Sequence, residues 1–127
     1  GFTLADDEME IGIGIHGEPG THREKLRPAN EIAKMLVDQI LADLDYKGHE
    51  VVVLINGMGG TPLMELYIVN NFVQDYLKEQ GISVYDTMVG NYMTSIEMAG
   101  FSITLLRLDD EMKALYDAPA DTLAWKK

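Results

Sequence analysis

The segment VVVLINGMGGTPLMELYIVNNFVQDYL, residues 51–77, contains a predicted strand followed by a predicted helix, and the fold is inferred from this unit. Its first five residues are apolar and mostly β-branched, which predicts a strand that is buried on both faces. The glycine-rich segment Asn56–Gly60 then predicts a turn, and Thr61 and Pro62 match the N-cap and the first position of a helix. Apolar residues at spacings of three and four continue this helix to about Glu79.

The segments on either side of this unit continue the alternation of strands and helices. Upstream, the pattern of Met9–Ile15 predicts a strand, and apolar residues at helical spacing predict a helix over Pro28–Leu44. Downstream, Ile82–Asn91 and Phe101–Leu108 are predicted strands, and Asp109-Asp110-Glu111 begins a short final helix. This order favours an α+β fold, a two-layer sandwich of helices packed on a small mixed β-sheet.

Single residues mark some of the predicted boundaries. Gly81 is a suitable C-cap for the helix that starts near Pro62. Thr94 or Ser95 is predicted to cap a short helical turn that Gly100 ends. The chain of 127 residues has the usual size of one domain, so residues 1–127 are predicted to form a single domain.

The composition excludes several classes of function. The formal net charge is −11, which argues against nucleic acid or an anionic membrane surface as a partner. The chain contains no Cys, so a disulfide framework, thiol catalysis and cysteine-ligated metal sites are excluded. It also lacks the run of about 18 apolar residues that a membrane-spanning helix needs, and we expect a cytoplasmic location.

The first candidate site is the segment GIHGEPG, residues 14–20. His16 follows a predicted strand, and glycines on both sides leave room for a small molecule to approach its ring. A neutral imidazole is able to act as a base, a ligand or a nucleophile near neutral pH, and Glu18 could orient it. The alternative interpretation is a turn whose histidine is merely exposed to solvent.

The second candidate site is the glycine-rich segment Gly57–Gly60 between the central strand and its helix. Backbone N–H groups at such a position are able to hold an anion. The segment lacks the residues of a Walker A loop and the spacing of a dinucleotide fingerprint. A tight turn that lets the helix pack closely against the strand is therefore the favoured interpretation.

The remaining polar residues give weaker signals. His22 and His49 are predicted to lie in polar loops and to be solvated, and no metal site is predicted because His16 and His22 lack the spacing of ligands on one helix. The acidic run 109–111 is explained more simply by the positive end of a helix than by a metal ion.

Four collinear segments resemble the substrate-binding subunit of dihydroxyacetone kinase. They are Thr3–Gly20, Asn56–Tyr67, Gly100–Leu106 followed by Asp109–Glu111, and Leu115–Pro119. The most specific of them is the first, because it contains GIHGEPG. The similarity spans nearly the whole chain and implies that residues 1–127 correspond to the second, C-terminal domain of that subunit.

The resemblance implies a covalent role for His16. In this family, the histidine of GIHGEPG binds dihydroxyacetone through a ring nitrogen that adds to the ketone carbonyl and forms a hemiaminal. His16 is accordingly the predicted catalytic and substrate-binding residue, and no metal ligand is predicted. The family also contains relatives without catalytic activity that sense dihydroxyacetone for transcriptional control, so a sensor or coactivator remains the alternative function.

The resemblance also implies partners that this chain does not itself supply. An N-terminal domain of the same subunit is expected to provide the other substrate contacts, and the full subunit is expected to form a homodimer. The phosphoryl donor, a nucleotide with Mg, is expected on a separate subunit or domain, and no cofactor is expected on this chain. The end of the chain soon after Pro119 favours the branch that uses a separate subunit recharged by the phosphotransferase system.

Overall fold

The computed structural model describes residues 3–127, which contain five strands and three helices. In chain order these are β1 (Glu8–Ile11), β2 (His22–Lys25), α1 (Ala29–Asp43), β3 (Glu50–Gly59), α2 (Leu63–Glu79), β4 (Ser83–Gly90), β5 (Ala99–Leu108) and α3 (Asp110–Asp117). None of the helices in the described part is long and apolar enough to cross a membrane.

A three-stranded mixed sheet forms the centre of the molecule. Its order is β4-β3-β5, and the middle strand β3 pairs parallel with β4 and antiparallel with β5. Helices α1 and α2 pack on each other, and both lie against this sheet. The helices and the mixed sheet are therefore the two layers that the sequence predicts, and the α+β class is confirmed.

The main core lies between this sheet and the two long helices. Alternate residues of β3, Val51, Val53 and Ile55, are completely buried there. Val52, whose side chain lies on the opposite face of β3, is also buried and is only 4% exposed. The apolar run at the start of β3 is thus buried on both faces, as its composition predicts.

The C-terminus of α2 ends in the geometry that glycine favours. Gly81 has a φ of +75°, and its N–H donates to the carbonyl of Lys78 at 3.0 Å. The N–H of Ile82 donates to the carbonyl of Leu77, also at 3.0 Å, and both of these side chains are buried in the core. These two bonds form a Schellman motif, so the predicted role of Gly81 is confirmed.

The N-terminal hairpin differs from the prediction in two ways. Strand β1 ends at Ile11 rather than at residue 15, because Gly12 takes a φ of +78° and leaves the extended conformation. The polar segment HREK forms strand β2, which periodicity does not predict, and it pairs antiparallel with β1 in a separate two-stranded sheet. The prediction that His22 lies in a loop is therefore wrong.

Most of the glycine-rich segment is part of β3, and the predicted turn is confined to its end, where the N–H of Thr61 donates to the carbonyl of Met58 at 3.2 Å. Residues 56–59 pair with Ala99–Ser102 of β5. A Cβ atom at Gly57 would lie 2.3 Å from Oδ1 of Asn91, and one at Gly59 would lie 2.4 Å from the carbonyl oxygen of Met98. Close approach of neighbouring groups therefore favours glycine at both positions, and Gly59 also has a φ of +55°, a conformation that glycine adopts without steric cost.

The predicted caps near this segment are also wrong. Thr61 does not cap α2, because its hydroxyl group is bonded to Gly100 instead. Oγ1 of Thr61 donates to the carbonyl of Gly100 and accepts from the N–H of Gly100, each at 2.7 Å. Helix α2 begins one residue after Pro62. Residues 91–98 form bends rather than the predicted helical turn, and β5 already begins at Ala99.

Candidate functional site

The segment that carries His16 is the connection between β1 and β2. Hydrogen bonds at the base of the hairpin hold this connection: the N–H of Thr21 donates to the carbonyl of Ile11 at 2.7 Å. The N–H of Gly20 donates to Oε1 of Glu10 at 2.9 Å. A Cβ at Gly20 would lie 2.4 Å from the Ile11 carbonyl oxygen, so the strands' ends approach too closely for a side chain.

Within this connection the chain folds back on itself around His16. The N–H of Gly14 donates to the carbonyl of Glu18, and the N–H of Gly17 donates to the carbonyl of Gly14, each at 3.1 Å. Gly17 has a φ of +86°, a conformation that glycine adopts without steric cost. We call residues 14–18 the histidine loop.

Glu18 contacts His16 through both of its carboxylate oxygens. Oε2 accepts a hydrogen bond from the backbone N–H of His16 at 3.0 Å, and Oε1 lies 3.3 Å from Nδ1 of the ring. Hydrogen bonds from backbone N–H groups, its own and that of His16, lower the pKa of Glu18 below its usual 4.5. The carboxylate is consequently ionised near neutral pH, and it contacts His16 at the ring nitrogen Nδ1, as its predicted orienting role requires.

The His16 ring is open to the surroundings. Its side chain retains 81% of its exposure, against 58% for the Glu18 side chain. The nitrogen Nδ1 faces the carboxylate, so Nε2 is the nitrogen left for another molecule. The glycines at positions 14 and 17 add no side chains beside the ring. The histidine loop can therefore bring a nucleophilic ring nitrogen to a small molecule.

The second candidate segment uses its N–H groups within the protein. The N–H of Gly59 donates to Oγ1 of Thr94 at 2.9 Å, and the N–H of Gly60 donates to the carbonyl of Met98 at 2.6 Å. A bound anion would need these two N–H donors, but both are already bonded to acceptors within the protein. The segment therefore supports close packing, as the favoured interpretation predicts, within a strand that ends in a turn at Gly60.

Asn56 is a structural residue that the sequence analysis did not single out. It is 3% exposed, and its Oδ1 accepts from the N–H groups of Tyr92 and Met93 at 2.9 and 2.8 Å. Its Nδ2 donates to the carbonyl of Met93 at 2.8 Å. Asn56 thereby fixes the loop that follows β4, and its position directly after an apolar strand was the available signal.

The other polar candidates have structural roles. Asp109 caps α3, because its Oδ1 accepts from the N–H of Met112 at 2.8 Å. His22 lies on β2, where Nε2 is 3.5 Å from Oε1 of Glu24 and Nδ1 is 3.0 Å from Oγ1 of Thr21. Among residues 3–127, no group of three or more His, Asp and Glu side chains is placed to hold a metal ion.

A polar cluster between β4, α3 and the C-terminal residue Lys127 was not predicted. Tyr116 donates to Asp86 at 2.7 Å, Tyr85 donates to Asp117, and Lys127 donates to Asp117 at 2.9 Å. Burial and the neighbouring carboxylate of Asp86 raise the pKa of Tyr116 well above its usual value. The cluster borders a cleft of about 230 Å³ and joins the end of the chain to β4.

Fold and site together define an α+β domain whose hairpin loop presents an exposed histidine paired with a carboxylate. The family model of the Dak1 domain matches residues 1–124. The chain therefore belongs to the Dak1 family, and the resemblance inferred from GIHGEPG and the other segments is confirmed.

Relatives of known name include a kinase subunit and a coactivator. The chain is 53% identical over 127 residues to the dihydroxyacetone-binding subunit DhaK of PTS-dependent dihydroxyacetone kinase 1 from Listeria innocua, and this match covers 98% of the chain and 39% of the relative. It is 40% identical to the dihydroxyacetone kinase operon co-activator Dha-DhaQ, whose solved structure matches with a TM-score of 0.83 over 93% of the chain and 38% of that structure.

A complete kinase structure contains the same fold. The dihydroxyacetone kinase of C. freundii is 25% identical and matches with a TM-score of 0.78, over 98% of this chain and 22% of that structure. The chain thus spans about two fifths of the length of the curated DhaK relatives it matches, and less of the complete kinase.

Proposed function

We propose that this chain is the part of a dihydroxyacetone kinase that captures its substrate covalently on His16. The observation that carries the proposal is the exposed ring of His16, held by Glu18 in a loop with glycines on both sides. The similarity to a dihydroxyacetone-binding subunit supports dihydroxyacetone as the ketone. The product of the complete reaction is dihydroxyacetone phosphate.

The capture step is an addition to a carbonyl group. The electron pair of Nε2 of His16 forms a bond to the ketone carbon, and the π pair of the C=O bond moves to its oxygen. That oxygen takes a proton from water, and the ring gives its Nδ1 proton back to water. The neutral hemiaminal then contains all atoms of the imidazole and the ketone, with no other reactant consumed.

Covalent capture explains how a kinase distinguishes dihydroxyacetone from glycerol. The two molecules share their terminal hydroxyl groups, so hydrogen bonds to these groups hold both. Only the ketone has a carbonyl carbon to which a nitrogen can add, and this difference gives a selectivity that hydrogen bonds alone do not provide. The covalent bond also fixes the terminal hydroxyl group for phosphoryl transfer, which lowers the entropic cost of that step.

The remaining parts of the reaction are proposed to lie outside this chain. We assign residues 1–127 to the second, C-terminal domain of a subunit whose N-terminal domain supplies the other substrate contacts. The phosphoryl donor is a nucleotide with Mg on a separate subunit, as the PTS-dependent name of the Listeria relative suggests. The full subunit is proposed to be a homodimer located in the cytoplasm.

A dihydroxyacetone sensor or coactivator is the second candidate function. It is favoured by the 40% identity to a dihydroxyacetone kinase operon co-activator with the same fold. A sensor would capture the ketone or bind it without any phosphoryl transfer. Phosphate assays with a donor subunit and with ATP separate the candidates, because only the kinase component supports formation of dihydroxyacetone phosphate.

The capture itself is tested by carbon NMR with dihydroxyacetone labelled at its carbonyl carbon. In the full natural polypeptide, we expect part of the ketone signal to move to the tetrahedral-carbon region. The variant His16→Ala should lose this signal, whereas His22→Ala, which removes a histidine with a glutamate at the same sequence distance, should retain it. A wild-type protein that leaves the ketone signal unchanged contradicts covalent capture.

A further inference from the structure

We propose that Glu18 is a positioning residue that holds His16 in the Nδ1–H tautomer and thereby leaves the electron pair of Nε2 free for addition. The consequence for ketone capture rests on the proposed function. The tautomer itself is a property of the histidine loop and is measured without any ketone.

The carboxylate of Glu18 is held in place by the loop and not only by the ring. Oε2 accepts from the His16 N–H at 3.0 Å, and the Glu18 carbonyl accepts from the Gly14 N–H at 3.1 Å. An exposed ion pair between two mobile side chains contributes little, since ordering them costs entropy. Here one partner is already anchored to the backbone, so less freedom is lost when Oε1 meets Nδ1.

Gly14 provides the space that this arrangement needs. A Cβ atom at Gly14 would lie 2.1 Å from Oε2 of Glu18 and 2.8 Å from both its Cβ and its Cδ. Any side chain at this position therefore displaces the carboxylate from His16. The glycine before the histidine is needed for the placement of Glu18, and not only for access to the ring.

The chemistry of the two groups determines the tautomer. An ionised carboxylate only accepts hydrogen bonds, and a neutral imidazole carries its proton on one nitrogen. Oε1 of Glu18 lies 3.3 Å from Nδ1 of His16, so the proton belongs on Nδ1, and Nε2 keeps its electron pair. As Nε2 adds to a carbonyl carbon, positive charge develops on the ring, and the adjacent carboxylate stabilises it.

The chain contains a second histidine with the same spacing and a different arrangement. His22 precedes Glu24 by two residues, but both lie on the extended strand β2, and Oε1 of Glu24 is 3.5 Å from Nε2. The carboxylate therefore sits on the opposite side of the ring from that in the histidine loop. The positive φ of Gly17 explains the difference, because it turns Glu18 back toward the His16 backbone.

Nitrogen NMR of the complete chain, labelled at its histidine rings, tests the tautomer. The measurement is made near pH 8.5, about two units above the usual pKa of histidine, where a neutral ring dominates. We expect His16 to be mainly Nδ1–H in the wild type. In Glu18→Gln, the ratio of Nδ1–H to Nε2–H should fall about threefold, because a charged acceptor becomes a neutral amide.

Two further variants separate positioning from general damage to the loop. Gly14→Ala keeps the carboxylate but displaces it, so it should lower the same ratio. Glu24→Gln removes the carboxylate next to His22 and should leave the His16 ratio unchanged. A wild-type His16 that is mainly Nε2–H, or a ratio that Glu18→Gln leaves unchanged, overturns the proposal.

The link to capture is tested in the full natural polypeptide with labelled dihydroxyacetone. Glu18→Gln should slow formation of the adduct about tenfold, whereas His16→Ala should abolish it. An unchanged rate in Glu18→Gln overturns the proposal even where the tautomer ratio shifts. If the wild type forms no adduct, the proposed function fails, while the tautomer measurement still decides whether Glu18 orients His16.

Discussion

The central sheet and the N-terminal hairpin are stabilised in different ways. The sheet packs against α1 and α2, and side chains between these layers, such as Val53 of β3 and Leu77 of α2, are completely inaccessible. The hairpin of β1 and β2 forms a separate sheet, with exposed pairs such as Lys25 and Asp7 at 2.7 Å. The proposed capturing residue, His16, lies on the hairpin.

This difference separates stability from chemistry. Removing a large side chain from the central core costs several kcal/mol, whereas exposed ion pairs contribute about 0–1 kcal/mol. The histidine loop is exposed and is held mainly by hydrogen bonds of its own backbone. Variants of the loop should therefore change chemistry and leave global unfolding almost unchanged, and variants of the core should do the opposite.

The largest expected effect is in the core. Leu77→Ala removes a completely buried side chain at the end of α2 and should lower the free energy of unfolding by about 2–5 kcal/mol, measured by urea denaturation. Leu115→Ala, at a leucine of α3 that is 65% exposed, is the control and should change it by less than about 0.5 kcal/mol. Equal losses in the two variants would contradict the assigned core.

The second largest effect is expected at Asn56, the polar residue of β3 that bonds to the loop after β4. Asn56→Ala removes a buried amide and leaves the N–H groups of Tyr92 and Met93 without their acceptor, so it should lower the free energy of unfolding by about 2 kcal/mol. Asn71→Ala, at an exposed position of α2, serves as the control. A loss below about 0.5 kcal/mol in Asn56→Ala would show that water replaces this acceptor.

A smaller effect is expected at the end of α2. Gly81→Ala forces a side chain into a φ of +75°, although no neighbouring atom lies within 4 Å of the added Cβ, so backbone strain of about 1 kcal/mol is the expected cost. The Cβ atom added in Gly100→Ala also has no neighbouring atom within 4 Å, but the backbone of Gly100 does not have a positive φ. Urea denaturation should therefore show a clearly smaller loss for Gly100→Ala, and a reversed order would contradict the assigned cap.

The smallest effect on global stability concerns the hairpin and depends on pH. The pKa of Glu18 is lowered in the folded loop, so its contribution is fully present above the usual value of 4.5 and is lost as the pH falls through the lower, folded value. The side-chain carboxyl carbon signal of Glu18, followed by NMR from pH 7 to pH 2, should have its titration midpoint below pH 4.5. Glu18→Gln should remove this titration.

Two outcomes would alter the comparison between the regions. A Glu18 carboxyl signal whose titration midpoint lies at or above pH 4.5 would contradict the lowered pKa of Glu18. Unfolding of the whole chain together with this titration would show that the hairpin and the central sheet unfold as one cooperative unit.

The predictions from sequence were accurate where local signals and buried periodicity agreed. Helix α2 ends at Glu79 with Gly81 as its cap, and β4 and β5 lie within about two residues of their predicted bounds. Strand β2 was missed because its four residues are polar, and its stability comes from pairing with β1 rather than from an apolar face.

The candidate site was predicted in part. The motif GIHGEPG was sufficient to select His16 and to suggest that Glu18 orients it, and both residues meet in the histidine loop. The glycine-rich segment was predicted to be a turn, but only its end, around Gly60, is one. Local turn preference favoured a loop, whereas pairing with β5 keeps Gly57 and Gly59 in the strand.

The α+β class, the long helices, the central strand and the family follow from the amino-acid sequence alone, because periodicity, caps and motifs are local properties of the chain. The extent of β3, the pairing of β2 and the role of Asn56 became known from the three-dimensional contacts. Each of these depends on a partner distant in sequence, such as Ser102 on β5 or Met93 after β4. The partner of a strand or of a hydrogen-bonding side chain cannot be inferred from the secondary-structure preference of the segment that contains it.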